Sequence, residues 1–190
     1  MATFGYAGNI LKVDLNSRSV SKLSTMDYAE EFLGGRGIAA KLYWDHVPPS
    51  AAAFDPDNAL ILATGPLAGV PILGGSRWVV CGKSPATSPE YFGSANLGGN
   101  WGLALKSSGY DAMLVQGRSE QPVYLFIHDD AVEFEDASAL RGKGSIETIG
   151  ALKAELGASV SVVAVGPAGE NMVSFATLLA DNDAVGSAGM

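Results

Sequence analysis

The chain has 190 residues, 47% of them apolar and only 17% charged, which excludes intrinsic disorder and allows one sizeable core. Twelve basic residues against twenty acidic ones leave a net charge of −8, the wrong sign for a surface that grips nucleic-acid phosphates. The single cysteine, Cys81, excludes an internal disulfide and any all-cysteine metal or iron–sulfur site within these residues; with only His46 and His128 beside it, a zinc site is not expected.

The start, MATFGYAGNILKVDL, has no signal-peptide layout, and no apolar run reaches transmembrane length, so the chain reads as cytoplasmic with no membrane partner. Leu11–Leu15 alternates apolar and polar residues, Asn16–Ser19 makes a turn, and Val20–Leu23 returns as a hairpin. A helix capped by Thr25 or Asp27 follows, with apolar positions at Tyr28, Phe32, Ile38, Ala39, Leu42 and Tyr43. Gly34-Gly35-Arg36-Gly37 hinges it into two pieces, and Val47-Pro48-Pro49 ends the second. Ala59–Thr64, a short apolar run stopped by Gly65-Pro66, reads as a buried strand, and Arg77–Gly82 as another. A helix over Asn100–Ser107 and a strand over Ala112–Gly117 come next. Val123–Ile127 and Val132–Glu135 form a second hairpin about His128-Asp129-Asp130. Ser145 caps a helix to about Leu156, and Val160–Val165 is a strand stopped by Gly166-Pro167; Met172–Leu179 fits either helix or strand.

The order hairpin, helix, buried strand, Gly-Pro thus occurs twice, and LILATGPLAG at Leu60–Gly69 resembles VSVVAVGPAG at Val160–Gly169. The expected fold is α+β: duplicated hairpin–helix–strand halves, about 8–117 and 118–190, related by a pseudo-twofold and built on mixed β-sheets. No low-complexity linker separates the halves, so 1–190 reads as one unit.

Function points to the glycines, of which there are 24. Gly74-Gly75-Ser76-Arg77 and Ser94–Gly102 (SANLGGNWG) combine backbone that can approach a ligand closely with a guanidinium able to clamp a phosphate. An asparagine oxygen is a hard ligand suited to Mg²⁺ between phosphates. A diphosphate or pterin-phosphate cradle is one reading; glycines serving strand crossings and tight packing are the other. Other patterns lead nowhere: Gly34–Gly37 follows a helix rather than a strand, no P-loop is present, and two histidines do not support a nucleophilic triad. Cys81 lies in an apolar strand and reads as core. His46 reads as a helix-end residue and His128 as a solvated turn residue, while Asp129-Asp130 is a turn.

In order, GNILKVDL, FLGGRGIAAKL, LILATGPLAG, GGSRWVV, KSP, ANLGGNWGLALKSSGYDAMLVQG, PVYLFI and VGPAGENMVSFA run from Gly8 to Ala176. This set resembles the N-terminal domain of the tungsten-containing aldehyde:ferredoxin oxidoreductases. The resemblance implies a duplicated α+β platform for a bis-pterin tungsten (or molybdenum) centre, the tungstopterin. It implies that Arg77 lies against the pterin phosphates, that Asn96 gives an oxygen to the Mg²⁺ joining them, and that Gly98 and Gly99 let backbone lie against a pterin. Where family members carry an arginine and a Gly-Arg-Gly run, this chain reads Asp181–Met190 (DNDAVGSAGM) without arginine. A backbone oxygen near Val185 can still serve Mg²⁺.

For the whole enzyme the resemblance implies aldehyde oxidation to the carboxylic acid, with electrons passing through a 4Fe–4S cluster to ferredoxin or a similar carrier. The resemblance implies that the cysteines holding that cluster belong to later domains, and Cys81 alone cannot hold it. The chain is therefore expected to be a fragment of a longer polypeptide, inactive alone, whose partners are the remaining domains of the same enzyme and further copies of itself. The rival expectation is a non-catalytic module that binds the pterin cofactor or serves as a structural subunit.

Overall fold

The computed structural model describes residues 4–70, 72, 75–129 and 131–181, together with the backbone of 184–186. The first hairpin forms as β1 (Asn9–Asp14) and β2 (Ser19–Ser24), antiparallel, with Val13 opposite Val20. Two helices follow, α1 (Met26–Phe32) and α2 (Arg36–His46). They are separated by a break in which Leu33 takes φ 58 and the Gly35 amide donates to the Thr64 carbonyl at 2.8 Å. Thr25 does precede α1, but its hydroxyl makes no cap. It donates to the Asp111 carboxylate at 2.8 Å, so a distant buried acceptor takes the group that local sequence assigns to the helix.

Then come β3 (Ala59–Thr64), β4 (Trp78–Ser84), β5 (Tyr91–Leu97), α3 (Trp101–Ser107) and β6 (Tyr110–Gln116). The six strands form one mixed sheet in the order β2-β1-β6-β3-β4-β5, in which β1 and β6 run parallel and every other pair antiparallel. Such a sheet is buried on both faces, which is why its central strands read as continuous apolar runs. One face carries Ile10, Ile61, Val79, Cys81 and Leu114 beneath Ile38, Ala39 and Leu42 of α2. The other carries Leu11, Val13, Leu62, Trp78, Leu97 and Met113 beneath Trp101 and Leu105 of α3.

The rest of the chain covers that second face. β7 (Val123–His128) and β8 (Ala131–Asp136) form a two-stranded hairpin, followed by a 3-10 turn at Ser138–Leu140 and by α4 (Ser145–Leu156). Gly144, not Ser145, is the N-cap of α4; Ser145 is its first helical residue. The strand expected over Val160–Val165 is confined to β9 (Val163–Val165), because the Val162 amide donates to the Asp181 carboxylate at 2.9 Å instead of continuing a ladder. Pro167 opens the short helix α5 (Pro167–Glu170), and β10 (Leu178–Ala180) and β11 (Ala184–Gly186) complete a three-stranded antiparallel sheet, β11-β10-β9. Ile149 and Leu152 of α4 pack on Val162 and Ala164. A cavity of about 610 Å³ lies between this unit and the main sheet, lined by Leu62 and Met113 on one side and Leu125, Leu152 and Val163 on the other. Among the described residues no helix is long and apolar enough to cross a membrane.

Candidate cofactor cradle

The strand register gathers the functional segments at one end of the six-stranded sheet. Thr64, the last residue of β3, lies opposite Trp78, the first of β4, and Trp78 lies opposite Leu97, the last of β5. Gly65, Arg77 and Gly98 therefore leave the sheet side by side. The same end receives the start of β1 after Gly8 and the start of β6 at Tyr110 and Asp111. The Gly34-Gly35 break joins it through the Thr64 carbonyl.

Arg77 and Gly98 meet. A side-chain carbon placed on Gly98 would find only the Arg77 Nη1, at 3.9 Å, so the space over this glycine is open and rimmed by a guanidinium. The Gly98 carbonyl is fixed from behind by Trp78 Nε1 at 2.8 Å, and Gly99 turns the chain at φ 74, a conformation glycine adopts without strain. Arg77 is exposed, and among the described residues it has no ion-pair or hydrogen-bond partner. Gly75 is buried, and a carbon on it would sit 2.7 Å from the Val70 carbonyl oxygen; Gly74 lies outside the described residues. Gly75 is thus closely packed, whereas the space over Gly98 is open.

Asn96 is on strand β5, whereas the sequence places SANLGGNWG as a glycine-rich segment running into a helix. Opposite Val79 at the sheet's edge, it is exposed and has no partner among the described residues. β11 runs beside β5, and Val185, paired with Leu179 of β10, is brought to the same edge; its side chain lies outside the described residues. Among the described residues no group of three or more His, Cys, Asp or Glu could hold a metal.

The pair Lys106 and Asp111 was not legible as a site. Asp111 is 1% exposed and accepts from the Ala7 amide at 3.0 Å, the Gly8 amide at 2.8 Å and Thr25 Oγ1 at 2.8 Å. Lys106 Nζ lies 3.1 Å from the same carboxylate, donates to the Gly65 carbonyl at 2.8 Å and sits 5.8 Å from the Tyr6 ring centroid. One signal was present: a carboxylate between Tyr110 and Ala112 in a buried strand needs partners.

The remaining candidates behave as core or surface. Cys81 is fully buried, and desolvation pushes its thiol up to about 11, which removes it from nucleophilic chemistry at neutral pH. His46 ends α2; burial, and then the nearby Lys12, lower its pKa. His128 is exposed at the hairpin turn, 3.5 Å from Glu133.

Comparison with known proteins places the chain in a family. The family model for the aldehyde ferredoxin oxidoreductase N-terminal domain matches residues 10–190. The tungsten-containing aldehyde ferredoxin oxidoreductase of Pyrococcus abyssi is 42% identical over 178 residues, covering 93% of this chain and 29% of that protein. The enzyme of the same description from Thermococcus kodakarensis is 42% identical over 193 residues, covering 98% and 31%. A solved structure, the active site complex BamBC of benzoyl coenzyme A reductase with 1,5-dienoyl-CoA, superposes with a TM-score of 0.91 at 40% identity, over 98% of this chain and 28% of that one. The chain thus spans less than a third of the length of these relatives. With the family model covering all but its first residues, the chain belongs to the aldehyde ferredoxin oxidoreductase family, as the N-terminal domain of such an oxidoreductase.

Proposed function

We propose that this domain is the platform for a tungstopterin, holding the pterin phosphates of a bis-pterin tungsten or molybdenum centre. The observation that carries the reading is the open backbone at Gly98 with the Arg77 guanidinium, unpaired among the described residues, at its rim. The donor set fits such a group. A guanidinium matches phosphate oxygens bidentately, an open glycine admits a flat ring against the backbone, and Asn96, unpartnered among the described residues, offers a hard oxygen for a Mg²⁺ between phosphates. Val185, on the strand beside β5, would add a backbone oxygen to that ion. When bound, the group supplies the two-electron chemistry of the oxidoreductase. Arg77 would neutralise phosphate charge, Gly98 and Gly99 would leave room for a ring against the backbone, and Trp78 and Trp101, with ring centroids 4.7 Å apart, would stiffen that backbone.

In the whole protein we read the substrate as an aldehyde oxidised to its acid, with electrons leaving through a 4Fe–4S cluster held by later domains to ferredoxin or a similar carrier. The working form is a cytoplasmic homo-oligomer, and the 190-residue chain is inactive alone. The benzoyl coenzyme A reductase likeness supports a second reading, in which the same platform serves a coenzyme A thioester substrate; at 40% identity it stands as close as the aldehyde relatives. The duplication also belongs to this proposal. It would pair β1-β2, α2 and β3-β4-β5 with β7-β8, α4 and β9-β10-β11; Gly-Pro follows both β3 and β9. In the first half β6 lies between β1 and β3; in the second, the 610 Å³ cavity is lined by β7 and β9.

The test is cofactor retention. In the full-length product, Arg77→Ala and Asn96→Ala should each lower bound pterin, measured as fluorescent pterin released on oxidation, while the fold persists. Wild-type pterin content in both variants would remove the site assignment.

A further inference from the structure

Resting on the tungstopterin reading, we propose that Lys106 is a positioning residue of the cradle, holding the Gly65-Pro66 turn against Arg77 while Asp111 holds Lys106. Gly65 and Arg77 leave the sheet next to each other, just beyond the Thr64–Trp78 pair. The position of one backbone therefore sets the space available to the other. Lys106 reaches this turn from α3 and donates to the Gly65 carbonyl at 2.8 Å. The Lys106 side chain is 12% exposed and that of Asp111 2%, so the pair is largely withdrawn from solvent.

The turn is held from two further sides. A carbon on Gly5 would sit 2.7 Å from the Pro66 carbonyl oxygen, and one on Gly34 would sit 3.0 Å from the Pro66 ring and 3.2 Å from Gly65 Cα. Backbone packs on both flanks, and the Lys106 hydrogen bond fixes the remaining direction. Asp111 does more than pair the ammonium. Its bonds to the Ala7 and Gly8 amides and to Thr25 tie the chain entering β1 and the start of α1 to the same point. Residues over a hundred positions apart in sequence thereby share one anchor beside the cradle. Such outer partners tune a bound group without touching it.

The experiment compares Lys106→Met and Lys106→Arg with wild type in the full-length product, reading melting temperature, pterin retention during dialysis and the reduction potential of the bound metal. Arginine keeps the charge facing Asp111 but replaces the compact ammonium with a broad planar fork, altering the bond to Gly65. The expected result is that Lys106→Arg melts close to wild type yet binds cofactor about 10–100-fold more weakly, the loss of affinity typical when such outer partners are changed, and so retains less of it through dialysis. Its potential should shift as well. If Lys106→Arg retains cofactor and potential like wild type, the proposal is overturned, whether or not Lys106→Met folds, because the pair then serves stability alone. A wild-type protein that holds no pterin at all would overturn the tungstopterin reading itself.

Discussion

Individual residues here are governed by what surrounds them far more than by their neighbours in sequence. Asp111 takes donors from positions 7, 8, 25 and 106, and nothing in the YDAM run announces which they are. Removing one partner from a buried ion pair costs about 3–5 kcal/mol, which is why Lys106→Met is the harsh variant and Lys106→Arg the informative one. Arg77 and Gly98 were legible as residue types suited to phosphate and close approach; that they meet follows only from the β3-β4-β5 register. Cys81 was legible outright, since a small residue within WVVCG has nowhere to go but the core. Its thiol stays protonated to about pH 11, while an unfolded thiol ionises near 9.0. The unfolded state therefore binds fewer protons above pH 9, so this group's contribution to stability is intact below pH 9 and falls as the pH climbs towards 11. At pH 8 a thiol reagent should label Cys81 only as fast as the native protein unfolds. Rapid labelling of fully folded protein would contradict its burial.

At the scale of elements, long apolar runs and hairpins with polar turns could be read directly; edges could not. β5 was missed because YFGSANL mixes small and polar residues, as an edge strand facing solvent on one side permits. β10 and β11, three residues each, fall below any periodicity. The helix over Trp101–Ser107 was readable from its apolar spacing, but the reason for its glycine was not. A carbon on Gly102 would sit 2.9 Å from Trp78 Cδ1 and 3.0 Å from Cβ and Cγ of the same side chain, which is 1% exposed and cannot yield. Alanine there would gain about 1 kcal/mol of helix propensity and lose about 1–3 kcal/mol to overpacking. Gly102→Ala should therefore lower the urea midpoint, and because Trp78 Nε1 holds the Gly98 carbonyl, the cradle should loosen with it. A midpoint at or above the wild-type value would show that α3 shifts freely over the sheet.

For the whole molecule, a mixed sheet buried on both faces brings Gly65, Arg77, Gly98 and Asp111 to one end, while the edge strand β5 and the neighbouring β11 carry Asn96 and Val185. Large apolar side chains lie exposed close by in sequence, Leu33 at 66% and Leu67 at 58%. Exposed apolar surface of this kind marks a site of interaction with other protein surface. The α+β class and the mixed sheet followed from the order of hairpins, helices and short buried runs. The meeting of the two glycine-rich segments did not, because it depends on long-range register. The central claim is that this platform carries a metal–pterin centre, and it is tested most directly by elemental analysis of the longest product of this reading frame, purified without oxygen. The account predicts about one tungsten or molybdenum per chain with about four irons, as one metal centre and one cubane cluster require. Well-folded protein free of both metals, from cells able to make the cofactor, would contradict it.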